Sequence, residues 1–256
     1  MMYQIISYIK FLFTSTNQHG IHSPFVYDLI TKCFYDKSKK ESYSKLKDYK
    51  NSLLKSNHTI DVTDLGEGSK TFNTNSRVIK NIAKTSASLN KSMNLMYRLI
   101  AYFKPKQVLE LGTSLGVATY AMALGNDNSK ITTVEGCPNT SNFTNNQLEN
   151  RANNITYKNG HFKTVIPKLP QNEFDFIFFD GHHNKKATLE YFKMLLPKAN
   201  NDSIFIFDDI YWSKDMTEAW NEIKAHPKVT VTIDTFFWGF VFFRKEQQKE
   251  HFKIRV

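Results

Sequence analysis

The run Val108-Leu-Glu-Leu-Gly-Thr-Ser-Leu-Gly-Val-Ala-Thr119 sets an acid, Glu110, near the end of an apolar stretch and follows it at once with a glycine turn and a helix-forming segment. Gly112 and Gly116 carry no Cβ, so the backbone there can turn sharply and approach a bound molecule. Thr113 and Ser114 bring hydroxyls beside the N–H groups that open a helix. Such a turn suits a small polar cofactor. Further along, Glu135 ends a second apolar run, and Asp180, Asp208 and Asp209 close two more. Three uncompensated acids at adjoining strand ends repel and raise one another's pKa. A divalent cation such as Mg2+ relieves that conflict and makes a bound hydroxyl more acidic. The competing reading of Asp208-Asp209 is a cap on a helix that begins near Ser213.

Positioning these residues requires strands and helices in alternation. From residue 107 onward, apolar runs predict strands at 107–111, 130–134, 155–158, 174–179 and 203–207, with helices at 115–124, 139–150, 162–169, 185–196 and 214–224 between or after them. That order is the signature of a parallel α/β sheet with helices on both faces. Two final β-rich runs, 228–233 and 237–243, have only Asp234-Thr235-Phe236 between them. A parallel crossover needs a dozen or so residues, so they form an antiparallel hairpin.

Composition bounds the rest. A chain of 256 residues with 41% hydrophobic content can bury a sizeable core. Cys33 and Cys137 make neither a disulfide framework nor a zinc cluster, which points to a reducing, cytoplasmic setting. The apolar N-terminus is interrupted by Lys10, lacks a basic leader and a cleavage site, and is too short to span a membrane. It reads as a short amphipathic helix packed on its own protein, with peripheral membrane contact as the alternative. The net charge of +10 resides entirely in residues 1–106. Such a basic segment attracts an acidic acceptor, anionic lipid or nucleic acid, or is a solvated Lys-rich face.

The ordered set Glu110-Leu-Gly-Thr-Ser-Leu-Gly116, Val134-Glu135, Phe178-Phe-Asp-Gly-His-His183 and Phe207-Asp-Asp-Ile210, together with the terminal hairpin, resembles the class I S-adenosylmethionine-dependent methyltransferases, in particular the small-molecule O-methyltransferase branch. The resemblance covers about residues 86–245. It implies a Rossmann-like seven-stranded sheet of order 3-2-1-4-5-7-6 with the last strand antiparallel, in a domain at 86–256 preceded by a mainly helical cap at 1–85. It implies that Glu110 meets the methionine ammonium, that Gly112, Thr113, Ser114 and Gly116 wrap the cofactor, and that Glu135 takes the ribose hydroxyls. It also implies that Gly160 and His161 lie beside the adenine, His161 as a surface turn residue being the other reading. In the metal-dependent catechol-type and macrolide-sugar-type enzymes, an acid at the fourth strand and an acid pair at the fifth hold the ion. Asp180, Asp208 and Asp209 stand at those positions, and His183, three residues after Asp180, stands where the sugar enzymes keep a general base. Asp209 departs from the catechol pattern, which has Asn there.

Tyr211 and Trp212 are candidates for an aromatic wall around the acceptor, and Phe236, Phe237 and Trp238 for core or homodimer contacts. A second acidic glycine turn, Asp64-Leu-Gly-Glu-Gly68, is followed by no apolar helix face and reads as a turn of the cap. The expected activity is O-methylation of a small hydroxylated acceptor. Against it stands a degenerate core serving as a nucleic-acid or membrane binding module. Base methylation lacks its Asp-Pro-Pro-Tyr element, and nicotinamide binding lacks the G-x-G-x-x-G spacing.

Overall fold

The computed structural model describes residues 2–63, 75–86, 90–170 and 174–256. Two compact units divide the chain, Met1–Lys32 with Ile166–Val256, and Cys33–Val165. Helices α1 (Met2–Thr14) and α2 (Pro24–Leu29) open the first. At the start of α2 the Ser23 hydroxyl accepts from the Val26 amide, and Pro24 needs no partner in the first turn. Helix α1 buries only Ser7 and Phe11. Its Ile5, Ile9 and Phe13 are 55%, 49% and 88% exposed, so the expectation of a helix packed on its own protein holds for one face alone.

The second unit begins with α3 (Glu41–Lys55), the antiparallel pair β1 (Thr59–Asp61) and β2 (Ser76–Val78), α4 (Ile79–Ser86) and α5 (Asn90–Phe103). The expected alternation follows: β3 (Gln107–Leu111), α6 (Val117–Gly125), β4 (Lys130–Glu135), α7 (Pro138–Leu148), β5 (Ile155–Asn159) and α8 (Phe162–Val165). Strands β3, β4 and β5 are parallel neighbours, with Glu110 opposite Thr133 and Thr133 opposite Tyr157. Gly66 and Gly68 of the competing turn lie outside the described residues.

The first unit resumes with β6 (Phe176–Phe179), whose four residues are all buried, then α9 (Lys185–Leu195), β7 (Ile204–Asp208) and α10 (Lys214–Ala225). Strands β8 (Val231–Asp234), β9 (Trp238–Phe242) and β10 (Glu250–Lys253) complete it. Strand β9 runs against both β7 and β8, as the three-residue turn between β8 and β9 requires. The full order is β10-β8-β9-β7-β6-β3-β4-β5, a Rossmann-like, mostly parallel sheet of eight strands. The expected order 3-2-1-4-5-7-6 is kept along β5-β4-β3-β6-β7-β9-β8, with the seventh of these strands, β9, antiparallel, and the expectation of seven strands is corrected to eight by β10 at the edge beyond β8. Strand β10 adds in parallel to β8, joined by the amides of Glu250 and Ile254 to the carbonyls of Thr230 and Asp234. Its sequence Glu-His-Phe-Lys has one buried side chain, Phe252, and no apolar run that would mark a strand.

Candidate cofactor turn and acid cluster

In the Cys33–Val165 unit, the turn after β3 is built from left-handed backbone. Gly112, Ser114 and Gly116 have φ of 110°, 46° and 71°. Only glycine adopts such angles without strain, which accounts for two of the three. The turn is tied to its neighbours through the main chain. The Gly112 amide donates to the Val134 carbonyl at 2.9 Å, and the Ser114 amide donates to Glu135 Oε2 at 2.9 Å. A Cβ on Gly116 would run into the Thr144 Cγ2 methyl and lie 3.0 Å from Leu148 Cδ1. Two hydroxyls brace the same loop: Thr144 donates to the Ser114 carbonyl and Tyr49, wholly buried on α3, donates to the Leu115 carbonyl, both at 2.7 Å. Tyr49 was not singled out by sequence, because nothing local marks a tyrosine 66 residues away as the partner of this turn.

The two acids of the unit differ sharply. Glu135, at the end of β4, is partly exposed, and its Oε1 accepts from the Cys137 amide at 3.0 Å while Oε2 accepts from Ser114. Glu110 is fully buried. Its Oε2 accepts from the hydroxyls of Thr119 on α6 and Thr133 on β4 at 2.5 and 2.6 Å. Its Oε1 is buried with no hydrogen-bond partner among the described residues. Burial drives the Glu110 pKa up to about 8, against the pull of the two threonine hydroxyls and with a further push from the Glu135 charge. The Thr113 hydroxyl meets that of Thr133 at 2.5 Å, and the residue is buried, so it braces the turn against β4. Gly160 is left-handed at φ 137°, with its amide given to the Glu135 carbonyl at 2.9 Å. His161 caps α8, accepting from Thr164 and Val165 with its carbonyl and from Lys163 with Nδ1.

In the other unit, Asp180 follows β6 and Asp208 ends β7, two parallel neighbours. His183 Nε2 lies 3.8 Å from Asp180 Oδ1. One donor atom from each of Asp180, His183 and Asp208 falls within 4.8 Å of the other two. Asp208 Oδ1 also accepts from the Trp238 indole N–H at 2.7 Å. Burial holds the carboxyls of Asp208 and Asp209 above the ordinary range, Asp209 being pushed further by Asp208 and pulled back by His183.

The structure does not bring Asp209 into the group with Asp180. Asp209 sits in left-handed backbone at φ 52° and lines a separate cavity with Tyr211 and Trp212. The helix-cap reading of Asp208-Asp209 is overturned as well, since Ser213 itself caps α10 by accepting from the Met216 amide at 3.1 Å. His182 packs edge-on against Tyr191. Phe236 is buried against Tyr211, with ring centroids 5.0 Å apart, whereas Phe237 is 54% exposed. Both cysteines are buried and free, and no helix among the described residues is long and apolar enough to cross a membrane.

Residues 109–210 match a family model described as a methyltransferase domain. No curated protein matches the chain. Among solved structures the chain is similar to methyltransferase PaMTH1 of Podospora anserina with SAH bound, at 15% identity and a TM-score of 0.61, over 88% of this chain and 98% of that one. It is also similar to an O-methyltransferase of Bacillus cereus in complex with SAH, at 16% identity and a TM-score of 0.53, over 81% and 93%. A third is TomG, an O-methyltransferase of Streptomyces achromogenes involved in tomaymycin synthesis and crystallised with SAM, at 15% identity and a TM-score of 0.56, over 81% and 91%. At these identities the likeness is one of fold.

Proposed function

We propose that this chain, whose residues 109–210 form a methyltransferase domain on the class I S-adenosylmethionine-dependent methyltransferase fold, methylates a hydroxyl oxygen of a small acceptor with the help of a divalent cation. When bound, S-adenosylmethionine supplies an electrophilic methyl on sulfur, and a cation such as Mg2+ supplies Lewis acidity toward the acceptor oxygen. Displacement at carbon is in line, so the protein's task is to align the acceptor and remove its proton.

The observation that carries the reading is Glu135. Its carboxylate is fixed by two backbone amides at the end of β4, beside the left-handed turn that follows β3. An ionised carboxylate offers about four lone-pair sites. The Ser114 and Cys137 amides hold its two oxygens side by side at the strand end, the two-pronged acceptor that a vicinal ribose diol needs. Gly112 and Gly160 take backbone angles that leave no Cβ at the turn, and Ser114 and Gly116 complete it. Glu110, with one buried oxygen unsatisfied, fits the methionine ammonium. His161 shapes the adenine side as a helix cap. Thr113 supports the turn through Thr133.

Asp180 and Asp208 would hold the cation. Hard oxygen ligands suit Mg2+, which commonly takes one or two carboxylates and fills its remaining positions with water and substrate. His183 takes the acceptor proton at Nε2, with the Asp180 carboxylate favouring the imidazolium that results. Asp209, turned to the neighbouring cavity, is a contact for the acceptor and not a ligand of the ion. The basic segment at 1–85 serves as an accessory to the domain at 86–256.

The test uses labelled S-adenosylmethionine and fractionated cell extract as the acceptor source. Asp180→Ala removes methyl transfer while the variant still binds S-adenosylmethionine as the parent does. EDTA abolishes the wild-type reaction and Mg2+ restores it. Transfer undiminished in EDTA would remove the cation from the account, and full activity in Asp180→Ala would remove the acid cluster.

A further inference from the structure

The unit that holds Asp180, His183 and Asp208 also contains an apolar cavity of about 410 Å3. Three residues of α1, Ile5, Tyr8 and Ile9, form one wall, and Trp212, Phe236 and Phe237 form the other. Asp209 and the Gln4 side chain contribute polar groups, while Tyr211, also in the lining, has its hydroxyl committed to Asp234 Oδ2 at 2.6 Å. The cavity is held in shape from beneath. Phe236, buried and left-handed at φ 73°, packs edge-on against Tyr8 with centroids 4.8 Å apart and stacks on Tyr211. Trp212 spans the cavity and the acid cluster, its ring 6.2 Å from that of His183. Asp209, adjacent in sequence to Asp208, makes the same connection along the chain.

From this the geometry points to an acceptor that is a planar aromatic alcohol, a phenol or naphthol with an apolar body, seated between α1 and the Tyr211–Phe237 wall with its hydroxyl toward Asp209 and His183. The inference rests on the O-methyltransferase reading and narrows its substrate class. A cavity of this volume is of the size that holds a small ligand. Its aromatic faces suit a flat ring by offset or edge contact. A sugar fits poorly, because each hydroxyl buried there without a partner carries a desolvation cost and the walls supply few polar groups. The placement also gives α1 a role that its burial alone does not: two of its isoleucines remain half-exposed, yet both line the cavity.

Binding is measured with the full chain free of cofactor, so that a failure of S-adenosylmethionine to bind would strike the functional reading and leave this result standing. Quenching of tryptophan fluorescence is followed on adding 2-naphthol, and in parallel methyl glucoside. The double variant Ile5→Gln, Ile9→Gln changes two half-exposed side chains and leaves the buried face of α1 intact. Phe13→Ser is the control, on the same helix but outside the cavity. The inference predicts saturable binding of 2-naphthol, about tenfold weaker in the double variant and unchanged in Phe13→Ser, with no response to the glucoside. It is overturned if the glucoside binds and 2-naphthol does not, or if the double variant binds 2-naphthol as well as the parent. It is overturned equally if neither ligand binds while the isoleucine changes abolish self-association or adhesion to anionic vesicles, since a second copy or a bilayer would then be the occupant.

Discussion

Glu110 shows how one residue can be visible in sequence and still be misjudged in its surroundings. Its place at the end of an apolar run marks it as a ligand-facing acid, but Thr119 and Thr133 reach it only once α6 and β4 are folded around β3. The consequence is thermodynamic. With a folded pKa raised from 4.5 to about 8, Glu110 binds its proton more tightly in the folded than in the unfolded chain. Its contribution is fully present below the unfolded value and is lost as pH rises through the folded one. Replacing it with neutral Gln should therefore flatten part of the pH profile. Between about pH 5 and about pH 9, the stability of Glu110→Gln relative to wild type should rise by on the order of a few kcal/mol, read from urea midpoints. A difference independent of pH would show that the carboxyl is not protonated in the fold. Asp180, His183 and Asp208 were also readable from sequence, because strand ends and spacing place them. The left-handed turn at Asp209, which lines the neighbouring cavity, has no glycine to announce it in the sequence.

Among the elements, the β3–α6 turn was the most legible and β10 the least. The turn follows from glycines at fixed offsets after an apolar strand, a pattern carried within a dozen residues. Strand β10 exists because a short charged segment finds the free edge of β8, a long-range pairing without local periodicity. Tyr49 belongs to the same class of long-range effects. Removing its hydroxyl in Tyr49→Phe leaves the Leu115 carbonyl without that donor and should cost about 1–2 kcal/mol of stability. Gly116→Ala is harsher, because a left-handed φ and a collision with Thr144 combine: about 2–4 kcal/mol, with cofactor binding lost. Denaturant unfolding of both variants checks the order. A Gly116→Ala protein as stable as wild type would mean that the turn is looser than its geometry.

For the whole molecule, the alternation of strands and helices predicted the α/β class, since the apolar runs between residues 107 and 208 form strands and the stretches between them form helices. Charge was less instructive. An excess of +10 confined to the first 106 residues attracts anions in general but selects none of them. The exposure of α1 could not be read from its sequence either, because an apolar helix of 13 residues looks the same whether it is covered or bare. The account rests on the donor site, and the most direct measurement is calorimetric titration of S-adenosylmethionine into the full chain and into Glu135→Ala. Charge-assisted hydrogen bonds contribute about 1.5–3 kcal/mol each, so saturable binding to the wild type should weaken at least about tenfold in the variant. No heat with the wild type, or equal affinity in the two proteins, would contradict it.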